Sequence, residues 1–293
     1  MKLLGKPVAE QIEKEEIIPN LQKLASEQPH LAILLVGDDH ESEIYVQQKE
    51  KTGKRLGIGV SVYRLDQTAP IDEIKDIISF LNDDDEINGI IIQLPLPKNL
   101  KSVTQELLDL IDPAKDVDAL TTDSAKSSIS IVSSFAELKS AYQAKKLFLP
   151  PTASAALEII DFYQIPFQAT LLIGRGILVG SPVAKMLHEM QVKYQVIHSQ
   201  IIPENQQKLL KKAQLIISGT NSQKPIFGPR DVKSDAVIID CAADFDHDIC
   251  RDTPQRVCTF KGSITPAIGG IGPVTVYCLL RNVVYASIWQ NKI

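Results

Sequence analysis

Three short apolar runs, at residues 31–36, 60–65 and 89–94, alternate with helix-patterned stretches at about 42–56 and 71–83. Strands buried on both faces read as continuous apolar runs, and strand, helix, strand at these lengths predicts a parallel sheet. An amphipathic segment at 5–28 precedes them, with Val8, Ile12, Ile17, Leu21 and Leu24 broadly at helical spacing. The second half repeats the alternation, with strands expected at 170–173, 193–197, 215–218 and 236–240. Helices are expected at 152–163, with Thr152 as its cap, after Gly180, at 203–212, and from Pro273 onward. Between the halves, residues 121–147 are rich in Ser and Thr, then weakly helical at 135–144, and read as a connection. With 293 residues there is room for two cores, so the expectation is an α/β chain of two three-layer domains.

Ligands of such sheets collect at the carboxyl ends of the strands, so the residues there carry the functional reading. After the first strand, Ser42, Tyr45 and Lys49 fall at i, i+3 and i+7 of a helix, a polar set where an apolar stripe belongs. A phenol and an ammonium so placed can bind an electron-rich heteroaromatic; the alternative is a solvated helix face. The third strand runs into Gln93-Leu94-Pro95-Leu96-Pro97, whose prolines stop the strand and leave the Gln93 amide facing a cleft or satisfied internally. Asp112, Lys115, Asp116 and Asp118 crowd one loop, a pattern usually explained as surface charge or a helix cap. It lacks the ladder of a calcium loop.

In the second half, Gly174-Arg175-Gly176 and Gly180 lie between a strand and a helix. Missing Cβ atoms there let backbone approach a pyrophosphate at the helix N-terminus, the dinucleotide pattern. The next strand ends in His198-Ser199-Gln200, without the acid that holds a ribose 2′-hydroxyl in NAD sites. Arg175 and Ser199 would instead attract a 2′-phosphate, which favours NADP; His198 reads as a strand-end histidine without a titrating role. The string Thr265-Pro266-Ala-Ile-Gly269-Gly270-Ile-Gly272-Pro273 is a rigid loop with more glycine than a plain turn before a helix requires.

The formal charge of −5 argues against a nucleic-acid partner, so anionic ligands must be held by local groups. Cys241, Cys250, Cys258 and Cys278 form no C-x-x-C pair and read as reduced thiols. Asp244, Asp246, His247, Asp248, Cys250 and Cys258 match no standard zinc spacing, so the metal expectation is none and the segment reads as a polar loop. The acidic N-terminal stretch does not fit a signal peptide, and the expectation is that no apolar run approaches the roughly 20 residues that span a bilayer. The expectation is a cytoplasmic chain with no membrane partner.

Tyr45-Val-x-x-Lys49, Gln93-Leu-Pro-Leu-Pro97 and Lys115-Asp116-Val-Asp118, in this order and near this spacing, resemble the bifunctional methylenetetrahydrofolate dehydrogenase / methenyltetrahydrofolate cyclohydrolase family. The resemblance reaches from about residue 5 to 288. It implies oxidation of 5,10-methylenetetrahydrofolate with NADP, hydrolysis of the methenyl product to 10-formyltetrahydrofolate, a homodimer, and a place in one-carbon metabolism and purine biosynthesis. It implies a folate domain over 1–148 joined by the returning helix 273–293, and a Rossmann-like NADP domain over 149–272.

By the same resemblance Lys49, Tyr45, Gln93 and Asp118 are catalytic, and Ser42, Leu94, Pro95, Gly272 and Pro273 bind tetrahydrofolate substrate. Gly174, Arg175, Gly176, Gly180, Ser199, Gly219, Thr265, Gly269 and Gly270 bind cofactor. Departures cluster on the cofactor side: Gly176 replaces a serine, Ala267-Ile268 replaces Val-Pro, and Cys241-Ala242-Ala243-Asp244 replaces a Val-Gly-Ile-Asn-like run. Ala119 stands where the family usually has glycine, and Pro151-Thr152-Ala153 replaces Cys-Thr-Pro. Residues 121–147 are longer than usual and the segment before Thr265 is shorter. These departures keep open a monofunctional enzyme or a non-catalytic folate- or nucleotide-binding paralogue. A generic two-domain hydroxy- or amino-acid dehydrogenase is a further possibility, but it gives the Gln93 to Pro97 string no use.

Overall fold

A computed structural model describes residues 1–24, 27–220, 222, 225–245 and 260–291. Asp246, His247, Asp248, Cys250 and Cys258 of the polar segment lie outside the described residues. Contacts divide the chain into two compact units. One comprises Gln11–Ser128, Tyr142–Pro151 and Val276–Ile293; the other comprises Met1–Glu10, Ile129–Ala141 and Thr152–Thr275. The C-terminal helix thus clusters with the first sheet. Residues 1–10 and 129–141 pack with the second sheet, although the sequence reading had placed them with the first.

In the first unit, β1 (His30–Val36), β2 (Gly59–Leu65) and β3 (Gly89–Ile92) form a parallel sheet in the order β2-β1-β3. Residues 31–36 of β1 and all of β3 are buried, while β2 is a half-exposed edge. Burial on both faces is why β1 and β3 show no alternation of polar and apolar residues. The Ile71–Asp83 helix packs Ile74, Ile78 and Leu81 against Ala32, Leu34, Ile90 and Ile92, with Leu100, Leu107 and Leu108 closing that core.

In the second unit, β4 (Thr170–Ile173), β5 (Tyr194–Ile197), β6 (Leu215–Ser218), β7 (Val237–Asp240) and β8 (Ser263–Ile264) are parallel in the order β5-β4-β6-β7-β8. The two-residue β8 was not foreseen. It is extended by a bridge between Lys2 and Ile264, and the Leu3 N–H donates to the Ile264 carbonyl at 2.8 Å. The long-range pairing of two short segments leaves no local pattern to read.

Four local expectations change. Residues 5–28 are helical only to Lys23 and contain a π-turn at Glu13–Ile17. The helix expected to be capped by Thr152 begins at Pro151, so Thr152 lies inside its first turn. The last helix begins at Ile271, two positions before Pro273, so Pro273 lies within its first turn, where a missing N–H is tolerated. That helix, Ile271–Gln290, is also long and apolar enough by length and composition to cross a bilayer, contrary to the expectation that no run approaches this length. Of its apolar window 67% is buried inside the protein. Its Arg281 is buried and donates to Glu16 at 3.1 Å.

Candidate active site

The helix that follows β1, His40–Leu56, is placed by its ends. Asp39 caps it, accepting a bond from the Ser42 N–H at 2.9 Å, and Gly57 closes it in the left-handed region at φ +77°. Only Ser42, Val46, Lys49 and Gly53 on this helix are buried, the i, i+4, i+7, i+11 stripe of a core face. A lysine in the middle of such a stripe is the anomaly. Tyr45 does not share the burial of Ser42 and Lys49: it stands beside the stripe and is 45% exposed.

The Lys49 Nζ donates to Gln93 Oε1 at 2.7 Å. Gln93 continues the β3 ladder through its N–H to the Leu34 carbonyl, and its Nε2 donates to the Leu94 carbonyl at 2.8 Å. With the amide nitrogen committed to backbone, the amide oxygen is left to accept an Nζ–H, which the ammonium and the neutral amine both have to donate. The Leu94-Pro95 peptide is cis. Gly37, at the end of β1, has φ +87°, and a Cβ there would meet the Pro97 ring at 3.2 Å, so the β1 and β3 ends abut.

Lys115-Asp116-Val117-Asp118 is not a surface charge cluster. Lys115 and Asp116 are buried, and each has a structural task. The Lys115 Nζ donates to the carbonyls of Leu81, Asn82 and Asp84 at 3.1, 2.8 and 2.7 Å, capping the end of the Ile71–Asp83 helix. Asp116 accepts from the Leu120 N–H, the Thr121 N–H and the Ser124 hydroxyl, which fixes the next turn. The Val117 carbonyl accepts from Asn282 of the last helix at 2.9 Å. These three residues aim the fourth.

Asp118 sits beside Lys49 closely enough for each to shift the other. Burial, opposed by Lys49 and aided by Asp116, pushes the Asp118 carboxyl up to about 6. Burial lowers the Lys49 pKa, opposed by Asp118. The first unit thus brings Lys49, Gln93 and Asp118 together, with Ser42 on the same stripe and Leu94-Pro95 adjoining Gln93. The tasks of Lys115 and Asn282 were not legible because their partners are distant in the chain, whereas Asp116 bonds the turn just after it, close to the helix-cap expectation for this loop.

In the second unit, Gly174 is packed against the backbones of both Gly219 and Gly180. A Cβ on Gly174 would stand 2.4 Å from the Gly219 oxygen, and one on Gly180 would stand 2.3 Å from the Gly174 oxygen. No side chain caps the Gly180–Glu189 helix at its start. Nothing lies within 4 Å of a Cβ built on Gly176. Close-packed glycines, an uncapped helix start and open space beside it fit a dinucleotide pyrophosphate. Ile173 and Ile197 pair in register, so Arg175 and Ser199 each follow a paired residue by two positions, and both are exposed at neighbouring strand ends.

The residues expected in the later loop are in part structurally engaged. The Thr265 hydroxyl is buried, accepts from the Asp240 N–H at 2.8 Å and donates to the Asp240 carbonyl at 3.3 Å. Gly269 has φ +79° and its carbonyl accepts from the Gly5 N–H at 2.8 Å, while a Cβ on Gly270 would stand 2.2 Å from the Pro266 oxygen. Gly272 and Pro273 open the last helix in this unit.

Comparison with known proteins adds to this geometry. The sequence profile of the tetrahydrofolate dehydrogenase/cyclohydrolase catalytic domain matches residues 3–118, and that of the corresponding NAD(P)-binding domain matches residues 150–291. The chain is 32% identical over 299 residues to the bifunctional protein FolD of Thermodesulfovibrio yellowstonii, covering 99% of this chain and 97% of that protein. It is 30% identical over 287 residues to the bifunctional protein FolD of Bdellovibrio bacteriovorus, covering 95% and 93%. The crystal structure of the FolD methylenetetrahydrofolate dehydrogenase/cyclohydrolase from Campylobacter jejuni superimposes with a TM-score of 0.79 at 27% identity, covering 100% of this chain and 99% of that one. Both profile matches, relatives over nearly the whole length and the Lys49, Gln93 and Asp118 cluster agree: this chain belongs to the tetrahydrofolate dehydrogenase/cyclohydrolase family.

Proposed function

We propose that this chain oxidises 5,10-methylenetetrahydrofolate with NADP and hydrolyses the methenyl product to 10-formyltetrahydrofolate, with Lys49 as the proton-transfer group of the hydrolysis. The observation that carries it is the buried Lys49 to Gln93 bond of 2.7 Å with the Asp118 carboxylate beside it. Tyr45, half exposed at the edge of the same helix, offers a ring face on which a pterin stacks. Asp118, as the anion, accepts from the amino and ring N–H groups of that pterin. Ser42, Leu94 and Pro95 complete the wall around them, and the family resemblance supports Gly272 and Pro273 as further substrate-binding positions.

Hydrolysis begins with water attacking the amidinium carbon of a cationic substrate. Burial already favours neutral Lys49, and a cation bound beside it favours the neutral amine further. The Lys49 Nζ takes the proton from water as the carbon–oxygen bond forms. It then returns a proton to the ring nitrogen as the carbon–nitrogen bond breaks, while the carbinol hydroxyl proton leaves to solvent. Gln93 holds Nζ in place through both transfers.

NADP, when bound, supplies a hydride acceptor, and the chain's part is to bind and orient it. Gly174, Gly176 and Gly180 cradle the pyrophosphate, Gly219 closes on Gly174, and Thr265, Gly269 and Gly270 shape the later loop. Arg175 and Ser199, at adjacent strand ends with no acid in the His198-Ser199-Gln200 stretch that ends β5, support NADP over NAD. The family resemblance supports a homodimer that supplies formyl groups to purine biosynthesis, the sparse cysteines without a C-x-x-C pair support a cytoplasmic setting, and the net charge of −5 supports small ligands rather than nucleic acid.

Steady-state assays with methylenetetrahydrofolate test the reading. Formation of NADPH with a kcat/KM roughly tenfold or more above that for NADH is expected, together with decay of added methenyltetrahydrofolate. Absence of both turnovers in a folded protein that binds NADP would favour the non-catalytic alternative.

A further inference from the structure

The buried carboxylate of Asp244 has no part in the chemistry above, yet it is tied to the nucleotide turn by consecutive contacts. Asp240, at the end of β7, accepts from the N–H groups of Ala242, Asp244 and Phe245 at 3.2, 2.9 and 3.0 Å, and from the Ser218 hydroxyl at 3.2 Å. This winds residues 241–245 into a tight turn in which Ala243 is held at φ +56°. The turn delivers Asp244, fully buried, to the end of β6. There its carboxylate accepts from both the backbone N–H of Thr220, at 3.0 Å, and the Thr220 hydroxyl. Thr220 and Gly219 are the residues on which the nucleotide turn rests, since the Cβ position of Gly174 lies 2.4 Å from the Gly219 oxygen and 3.4 Å from the Thr220 methyl.

We propose that Asp244 is a positioning residue of the nucleotide site: it clamps Thr220, and through Gly219 and Thr220 it sets the height of the Gly174 backbone that approaches the pyrophosphate. This rests on the nucleotide reading of the glycine turn. Two features argue that the clamp serves position and not packing alone. Burial raises the Asp244 pKa, and the Asp240 charge adds to the effect, so the group is held against a desolvation penalty. One carboxylate oxygen accepts from the Thr220 N–H and the other from the Thr220 hydroxyl, so the group grips backbone and side chain of the residue that follows Gly219.

The test is calorimetric titration of NADP into the full-length protein and its Asp244→Ala, Asp244→Asn, Thr220→Val and Asp244→Ala/Thr220→Val variants, with KM and kcat for NADP alongside. Asp244→Ala is expected to weaken NADP binding roughly tenfold, with KM rising in step and kcat at saturating NADP within about threefold of wild type. Asp244→Asn can still accept from the Thr220 N–H and donate to its hydroxyl, so it is expected to restore most of the affinity. Thr220→Val is expected to weaken binding less than Asp244→Ala, and the double variant should fall short of the sum of the singles because the two act through one contact. Wild-type affinity in Asp244→Ala, or full additivity in the double variant, overturns the clamp. If Asp244→Ala does not fold, Asp244→Asn and Thr220→Val decide: wild-type binding in Thr220→Val, or folded Asp244→Asn binding no better than Thr220→Val, overturns it. Failure of the wild type to bind NADP overturns instead the nucleotide reading on which the inference rests.

Discussion

Two residues carry tests that a single substitution can make. Asp118 titrates at about 6, so the carboxylate proposed to accept from the pterin is ionised at pH 7.5 and protonated at pH 5. Because the anion is the binding form, kcat/KM for the folate substrate should fall as pH drops through that value, by about tenfold per unit on the acid side. Asp118→Asn should lose that limb and show a low, flat profile; an unchanged acid limb in the variant would assign it to another group. Ala119, next in the chain, is held at φ +53°, where a Cβ is disfavoured by about 1–2 kcal/mol. Glycine relieves that strain but gains freedom in the unfolded chain, so Ala119→Gly should stabilise by roughly 0.5 to 1 kcal/mol in a denaturant titration. Loss of stability in the variant would contradict this conformational reading of position 119.

At the scale of elements, the site is aimed by hydrogen bonds outside the Lys49, Gln93 and Asp118 cluster. Lys115 caps one helix, Asp116 starts the next, and Asn282 on the last helix donates to the carbonyls of Val117 and Leu149 at 2.9 and 2.8 Å. Asn282→Leu removes both donors and leaves two buried carbonyls unpaired, which should destabilise by about 2–4 kcal/mol. It should also raise KM for folate, since Asp118 adjoins the freed carbonyl; wild-type stability and KM together would show that the anchor is dispensable. The sequence announced the strands 31–36 and 170–173 because a strand buried on both faces is written in apolar residues alone. It did not announce β8, two residues long and completed by Lys2, nor the buried capping role of Lys115, because a charged side chain carries no sign of which distant carbonyls it will meet. The polar helix face was legible in part: Ser42 and Lys49 are buried on one stripe, whereas Tyr45 lies outside it.

For the whole molecule, the two units each present their candidate functional residues at the carboxyl ends of a parallel sheet, where ligands of that architecture collect. The glycine turn was legible because its chemistry is local: Gly174, Gly176 and Gly180 sit within one strand-turn-helix segment. The Lys49, Gln93 and Asp118 cluster was legible only by family resemblance, since each comes from a different segment and each alone has an ordinary explanation. The central claim is that a buried lysine amine carries the protons of hydrolysis. Replacing Lys49 with Met keeps the apolar stem in the buried stripe and removes the amine, so the direct measurement is methenyltetrahydrofolate hydrolysis and folate binding in wild type and Lys49→Met. Hydrolysis should fall by about 10²–10⁴ while folate still binds; hydrolysis at the wild-type rate in the folded variant would contradict the account.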